Sequence, residues 1–128
     1  MERKMEPQQL ENFALEENWK PVDDALSSMD EEELEALLPS ARRELQALDG
    51  NLQDLGASIF QKYSGGITGE DKLLLRGVTQ KPGNEFARYR AGFALWVHGE
   101  RTEYVRKILE EAKSCADVSE IAEQLLKE

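Results

Sequence analysis

Two side chains capable of nucleophilic or base chemistry stand out because each residue type occurs only once: His98 and Cys115. A histidine can act as a general base or accept a phosphate, and a cysteine thiolate can act as a nucleophile. The two lie 17 positions apart and are predicted on different helices, so they do not specify a nucleophile with its base. The sequence also lacks the Glu-x-x-His pair that binds metal inside helical bundles. We therefore expect no catalytic residue, no metal site and no cofactor.

His98 is followed by Gly99, and this pair is typical of the end of a helix. A protonated imidazole at that position interacts favourably with the last carbonyl groups of its helix. Phosphotransfer domains instead expose a histidine on a bundle helix and usually carry Lys and Gly three and four positions after it. This sequence has Arg101 and Thr102 there. Phosphotransfer through His98 remains an alternative function that rests on a single residue.

Basic residues gather in one segment of an otherwise acidic chain. The formal net charge is −10 over 128 residues, whereas residues 72–107 hold eight Lys or Arg against three Glu. The candidate partner-binding residues are Lys72, Arg76, Arg88, Arg90, His98 and Arg101. A nucleic-acid-associated subunit that contacts phosphates through these five Lys and Arg residues and Lys81 is a second alternative function. The net charge disfavours general affinity for nucleic acid or anionic lipid, because both repel the chain at long range.

Arg90 is the exceptional residue of the most apolar stretch, residues 84–98. At 100° per residue, this stretch forms an aromatic arc and an adjacent arc of small residues. The aromatic arc contains Phe86, Tyr89, Phe93, Trp96 and Val97, the small arc contains Ala87, Ala91 and Ala94, and the outward edge is left to Arg88 and Gly92. Arg90 falls between the arcs, where a guanidinium must be paired or must reach water. The two interpretations are an internal ion pair with an N-terminal acid, and an anion or carboxylate site shared with Arg88 or Arg101.

Seven acidic residues and no basic one lie between positions 23 and 35. Acids in the first turn of a helix are stabilised by the helix dipole, and Ser28 followed by Glu31 has the spacing of a capping box. The segment is therefore predicted to start a helix. The alternative is a docking surface for residues 72–107 or for a basic partner.

The most regular pattern is a heptad seam that alternates spacings of four and three. Its residues are Leu34, Leu38, Ala41, Leu45, Leu48, Leu52, Leu55 and Ile59. Pro39 removes a helical hydrogen bond, so the pattern predicts a short helix over residues 30–38 and a long helix over residues 40–63. The seam either lines the core of an intramolecular bundle, which the other apolar helices favour, or forms a coiled-coil homodimer. Gly50 and Gly56 would suit the close approach of a neighbouring helix.

Turn signals divide the rest of the chain into five further helices. These are residues 7–19, a short helix from Thr68 to about Val78, residues 84–98, residues 102–116, and a final helix from about Val118 that Asp117 or Ser119 would cap. Lys20-Pro21 is expected to break the chain after the first helix, since the residue before proline disfavours the helical conformation. Asn84 is predicted to cap its helix, and Gly65 and Gly99 to end theirs. Residues 1–20 are a candidate for a loosely attached N-terminal helix.

The run FARYRAGFALWVHGERTEYVRKILEEA, residues 86–112, combines an apolar helix, a turn with glycine and an E-x-V-R-x-I-L-E helix. The last motif consists of Glu103, Val105, Arg106, Ile108, Leu109 and Glu110. In this order the run resembles part of the cytoplasmic region of the flagellar stator MotA family. The resemblance covers about a fifth of the chain and implies at most a helical hairpin used in cytoplasmic assembly. The family's membrane helices are missing from this sequence, so ion conduction is not implied.

These patterns predict an all-α, single-domain helical bundle of about five to seven helices over residues 1–128. The favoured function is a non-enzymatic interaction or assembly module of a larger cytoplasmic complex, with another protein as partner. No apolar run approaches 18 residues, so membrane insertion is not expected. A single cysteine permits no intramolecular disulfide, which favours a reducing, cytoplasmic setting.

Overall fold

The computed structural model describes residues 5–128, and these fold into an all-α bundle without a strand. Its helices are α1 (Pro7–Leu15), α2 (Trp19–Ser28), α3 (Glu31–Leu45), α4 (Gly50–Lys62), α5 (Gly69–Gln80), α6 (Glu85–Val97), α7 (Glu103–Ala112) and α8 (Ser119–Lys127). The predicted all-α class is confirmed. The predicted number of helices is too low, because the described part of the chain alone contains eight. None of the helices within residues 5–128 is long and apolar enough to cross a bilayer.

The predicted long helix over residues 40–63 is wrong, because the chain turns at residues 46–49. Asp49 caps the second half, where its side chain accepts hydrogen bonds from the backbone of Asn51 at 2.8 Å and of Leu52 at 3.1 Å. Leu48, a seam residue in the heptad pattern, lies in this turn and is 95% exposed. The seam is therefore divided between α3 and α4.

The two halves of the seam pack against each other within one chain. Leu34, Leu38, Ala41 and Leu45 of α3 and Leu55 and Ile59 of α4 are buried. Gly56 permits close contact, since a Cβ at that position would lie 2.8 Å from the carbonyl oxygen of Ala41. The seam residues thus line the core of an intramolecular bundle, which is the first of the two interpretations given for the heptad pattern.

Because six of the eight seam residues are already buried within one chain, we expect the seam to form no stable coiled-coil dimer. Light scattering at micromolar concentration should give the mass of one 14.5 kDa chain. A concentration-dependent dimer that Leu48→Ser abolishes would contradict this expectation, because Leu48 is the seam residue left on the surface.

Two prolines lie inside helices where the sequence suggested breaks. Pro21 is in the first turn of α2, where a missing N–H costs little because those groups lack helical partners. The first predicted helix consequently ends early, at Leu15, and Trp19 begins α2 instead of closing α1. Pro39 lies within α3 on its exposed face, where water can reach the carbonyl that loses its partner.

Some of the residues predicted to begin or end helices do so in the structure, and others do not. The cap predicted at Asn84 is present, Thr68 caps the helix that was predicted to begin there, and Gly99 has the positive φ of 90° expected of a helix end. Gly65 does not, because α4 ends at Lys62 and leaves the helix through Tyr63 in extended backbone. The capping box of α3 is formed by Asp30 and Glu33 instead of Ser28 and Glu31, and Val118 occupies the N-cap of α8 instead of Asp117 or Ser119.

α6 is the central helix, and it packs against α4, α5, α7 and α8. Tyr89, Phe93 and Trp96 of its aromatic arc are buried. Three positions differ from the predicted arcs, and one of them is Val97, which is exposed. Phe86 is 38% exposed, and Gly92 faces inward, where its Cβ would lie 2.7 Å from Cγ2 of Ile108. α7 therefore packs on part of the face of α6 that was predicted to point outward, and less of that face is exposed than the sequence suggested.

The glycine contact between α3 and α4 gives a direct test of packing. We expect Gly56→Ala to lower the free energy of unfolding by about 1–2 kcal/mol, because the new methyl meets backbone and the overpacking outweighs the gain in helix propensity. The matched control is Gly77→Ala in α5, where no atom lies within 4 Å and stability should rise by up to about 1 kcal/mol. Urea denaturation of both variants measures the difference. A stabilised Gly56→Ala would refute the close contact.

Candidate functional site

One cleft brings aromatic, acidic and basic side chains together at the surface of the bundle. It has a volume of about 250 Å³. Its lining consists of Trp19 and Asp23 from α2, Asp54 from α4, Phe86 and Arg90 from α6, and Asp117 and Val118 just before α8. We call it the aromatic–acid cleft. Of the predicted site residues, only Arg90 lies in it.

The floor of the cleft holds an ion pair between α6 and α4. Nε of Arg90 donates to Oδ1 of Asp54 at 3.3 Å, and Nη1 donates to Oε1 of Gln61 at 3.2 Å. The guanidinium also lies over the ring of Phe93, 5.8 Å from its centroid. Ser58 donates a further hydrogen bond to Asp54 at 3.3 Å. Arg90 therefore has an internal ion-pair partner, as one of the two interpretations expected, and this partner is Asp54 of α4.

Burial dominates the electrostatics of this pair. The side chains of Arg90 and Asp54 are only 20% and 8% exposed. Burial raises the pKa of Asp54 above its ordinary value, and Arg90 only partly offsets this through its charge and hydrogen bond. Asp23 raises the same pKa further by repulsion. The Arg90–Asp54 ion pair is thus a buried structural contact at the base of an open cleft.

The rim of the cleft is aromatic and acidic. Trp19 is half-buried and Phe86 is exposed, so both contribute to the walls while keeping surface in contact with water. Asp23 and Asp117 are exposed, and neither forms an ion pair with another residue between positions 5 and 128. Their charge is therefore available to a bound group.

Arg76 pairs with the carboxylate of Glu100, which lies in the turn before α7. Nε of Arg76 donates to Glu100 at 2.7 Å, and a second hydrogen bond from the same guanidinium makes the contact bidentate. This contact lowers the pKa of Glu100, and the nearby charge of Lys72 adds to the effect. Both cations thus neutralise a residue of their own chain.

Arg88 and Arg101 have separate partners. Arg88 pairs with Glu111 of α7 at 2.6 Å and lies 5.9 Å from the ring centroid of Tyr89. Arg101 donates to the carbonyl oxygen of Glu128 at 2.7 Å. The arginines among the six predicted partner-binding residues therefore each have a partner within the chain, and Arg88 and Arg101 do not line the cleft that contains Arg90.

Arg101 also helps to hold the C-terminal helix. Its guanidinium lies 4.8 Å from the ring centroid of Trp96, whose Nε1 donates to the carbonyl oxygen of Leu125 at 2.9 Å. α6 and α8 are thereby joined on two sides of one indole ring.

His98 links two helix ends. Its Nε2 lies 2.7 Å from the carbonyl oxygen of Phe60, in the last turn of α4. A carbonyl can only accept, so Nε2 carries the hydrogen in this bond. The expected interaction with terminal carbonyls is thus present, but with α4 and not with the histidine's own helix.

The acidic residues between positions 23 and 35 are spread over two surfaces. Asp23 lies at the aromatic–acid cleft. Asp30, Glu32 and Glu33 line a second groove of about 550 Å³, together with Met5, Pro7, Met29 and Leu37 among others. Three of the five arginines of residues 72–107, Arg76, Arg88 and Arg90, pair instead with Glu100, Glu111 and Asp54. The favoured prediction of a helix start is met by Asp30 and the first turn of α3, and none of these three ion pairs joins the acidic segment to residues 72–107.

Sequence reasoning missed most of the cleft. Trp19, Asp23 and Phe86 carry no motif, and Asp54 stands beside seam residue Leu55 without any sign that it is buried. For Asp117 the sequence predicts only a role as a helix cap. The residue type of Trp19 is the available signal, because tryptophan combines a large apolar ring with a polar N–H and is enriched at interfaces.

Comparison with family models, with curated proteins and with solved structures finds no match for this chain. The resemblance of residues 86–112 to the flagellar stator MotA family therefore stays a prediction. Within residues 5–128, no three His, Cys, Asp or Glu side chains are grouped so that they could hold a metal ion.

Proposed function

We propose that this chain is a non-enzymatic interaction module that docks another protein at the aromatic–acid cleft. The observation that carries the proposal is the presence of two aromatic rings, Trp19 and Phe86, on the walls of an open cleft whose floor is fixed by the Arg90–Asp54 pair. Tryptophan and arginine are enriched among the residues that supply most binding energy at protein interfaces. A preformed floor also lowers the cost of ordering side chains on association.

The partner we propose is a different protein of a larger assembly in the cytoplasm. The single cysteine, Cys115, is a free thiol, which suits a reducing compartment. A homodimer through the heptad residues receives less support, because those residues are used between α3 and α4.

The two alternative functions receive less support than docking. Arg76, Arg88 and Arg90 are engaged with carboxylates, so phosphate contacts would have to break ion pairs. His98 Nε2 is engaged with a carbonyl. Nucleic-acid binding would show as affinity that falls steeply with salt, and phosphotransfer as phosphate acceptance that a His98 substitution abolishes.

The experiment that tests docking is affinity capture from the native cell with variants of the cleft. The full chain is immobilised as wild type, Trp19→Ala and Phe86→Ser, and the retained proteins are compared by mass spectrometry. Leu73→Ser is the matched control, because Leu73 is an exposed apolar residue of α5 outside the cleft. Circular dichroism checks that each variant is folded.

We expect a protein that wild type and Leu73→Ser retain and that both cleft variants lose. Truncating a tryptophan that anchors an interface weakens binding by about thirtyfold or more, which is enough to abolish capture of a micromolar partner. If the retained proteins are the same for all four baits, docking at this cleft is refuted.

A further inference from the structure

The dimensions of the aromatic–acid cleft limit what it can take. Its volume of about 250 Å³ is below the roughly 300–1,000 Å³ of sites for drug-sized molecules and cofactors. A nucleotide or an extended peptide would not fit inside. One amino-acid side chain, or a small molecule of that size, matches the space.

The charge of the cleft selects the sign of its occupant. Asp54 is matched by Arg90 through the ion pair on the floor. This leaves the two rim carboxylates, Asp23 and Asp117, which have no ionic partner within residues 5–128. An anion would meet both of them before it reached Arg90. A cation would gain from both, so the cleft favours a positively charged group.

The aromatic walls narrow the choice between the two common cationic side chains. A cation is attracted to the face of an aromatic ring, most strongly that of tryptophan. A guanidinium is flat and has five donors, so it can stack on Trp19 or Phe86 and donate to carboxylates on different walls at once. A lysine ammonium is a compact and strongly hydrated charge that gains less from flat walls. The same combination occurs within the chain, where Arg90 lies over Phe93 while it pairs with Asp54.

We propose that the aromatic–acid cleft is a receptor for an arginine side chain that the partner protein supplies. This proposal rests on the proposed docking function and specifies its chemistry. The arginine of the partner stacks on the rings of Trp19 and Phe86 and donates to Asp23 and Asp117. Arg90 holds Asp54 and is not available to compete for the rim acids.

The proposal can be tested with defined peptides on the full chain. The probes are the capped tripeptides Gly-Arg-Gly, Gly-Lys-Gly and Gly-citrulline-Gly, where citrulline keeps the shape of arginine without its charge. The Trp19 indole N–H signal in a ¹H–¹⁵N NMR spectrum reports occupation of the cleft, and that of the buried Trp96 serves as an internal reference.

We expect the arginine peptide to shift the Trp19 signal saturably, with a dissociation constant on the order of 1 mM. The lysine peptide should bind several times more weakly, and the citrulline peptide should cause no saturable shift. Asp23→Asn and Asp117→Asn should each weaken arginine binding by roughly two- to fivefold, as expected for exposed charge pairs, and together by roughly tenfold. Asp24→Asn is the control, because it changes the same charge on the same helix outside the cleft.

Four outcomes would overturn the proposal: no saturable shift with the arginine peptide, equal binding of citrulline, equal or tighter binding of lysine, or an effect of Asp24→Asn as large as that of Asp23→Asn. Failure here is distinguishable from failure of the docking function. If Trp19→Ala loses a captured partner while the double Asp23→Asn/Asp117→Asn variant keeps it, docking stands and the arginine receptor does not. If the Trp19→Ala variant retains the same proteins as the wild type, the docking function itself is refuted.

Discussion

We expect Glu44→Gln to raise the free energy of unfolding by about 3 kcal/mol at pH 7. Glu44 of α3 is only 3% exposed, and its Oε1 has no hydrogen-bond partner among the described residues. Burial and the neighbouring carboxylate of Glu11 raise the pKa of Glu44 to about 9. At pH 7 the folded chain must therefore hold a proton that the unfolded chain, with an ordinary pKa near 4.5, has already released. Glutamine has the shape of the protonated acid and avoids this cost.

The dependence on pH distinguishes this cause from a change in packing. Below about pH 4.5 both states of the wild type are protonated, so Glu44→Gln should have almost no effect. As the pH rises from there toward 9, the wild type should lose about 1.4 kcal/mol per pH unit relative to the variant. Urea denaturation at pH 4.5, 6, 7 and 8 measures the trend.

A matched control is Glu35→Gln, which makes the same change on the exposed face of α3. Its effect should stay within about 0.5 kcal/mol at every pH. A gain from Glu44→Gln that does not grow with pH would show that Glu44 is ionised in the folded protein, contrary to the expectation.

The features that the sequence predicted correctly depend on neighbours within a few positions. Asn84 caps α6 through the backbone N–H of Ala87, and Thr68 caps α5 through that of Asp71, each three residues away. The all-α class depends on equally local patterns. A reader of the sequence needs only helical spacing and the chemistry of helix ends to find them.

The break between α3 and α4 could not be found in this way, because distant residues stabilise it. A Cβ on Gly50 would lie 2.4 Å from the side chain of Asn84, and the backbone N–H of Gly83 donates to Gln53 at 2.7 Å. The turn is thus packed against the loop before α6, about 30 positions later in the chain. The heptad spacing continues through this turn and therefore does not indicate it.

The aromatic–acid cleft also combines a feature that neighbouring residues predict with features that depend on distant residues. The position of Arg90 between two apolar arcs correctly predicted that its charge would need a partner. The partner, Asp54, lies 36 positions away, and nothing in its neighbours separates it from the 25 other acidic residues. The aromatic–acid cleft arises only when α2, α4, α6 and the turn before α8 come together, so its members have no common pattern in the sequence.

We expect Arg90→Met to lower the free energy of unfolding by about 3–5 kcal/mol at pH 7. Methionine fills much of the space of the arginine stem, so the loss comes from Asp54, which would remain buried without its cation. Gln61 would lose its donor as well. Arg106→Met is the control, because Arg106 lies on the exposed face of α7, and its effect should stay within about 0.5 kcal/mol.

Asp54 makes this loss depend on pH. Its pKa is already raised by burial, and removal of Arg90 would raise it further. A raised pKa of an acid destabilises the fold above the unfolded-state pKa near 3.8 and has no effect below it. The deficit of Arg90→Met should therefore shrink as the pH falls from 7 to 4. A deficit that is constant over this range would assign the effect to packing instead of charge.

The double variant Arg90→Met/Asp54→Asn separates the structural role of the pair from recognition. Asp54→Asn removes the buried negative charge. Much of the stability lost in Arg90→Met should therefore return, because that loss arises from the unpaired Asp54. The refolded double variant retains Trp19, Phe86 and the rim acids, so it should still bind the partner and the arginine peptide. If it is stable and binding is lost, Arg90 or Asp54 contacts the partner directly. Retained binding would show that the pair positions α4 and α6 and leaves recognition to the rim.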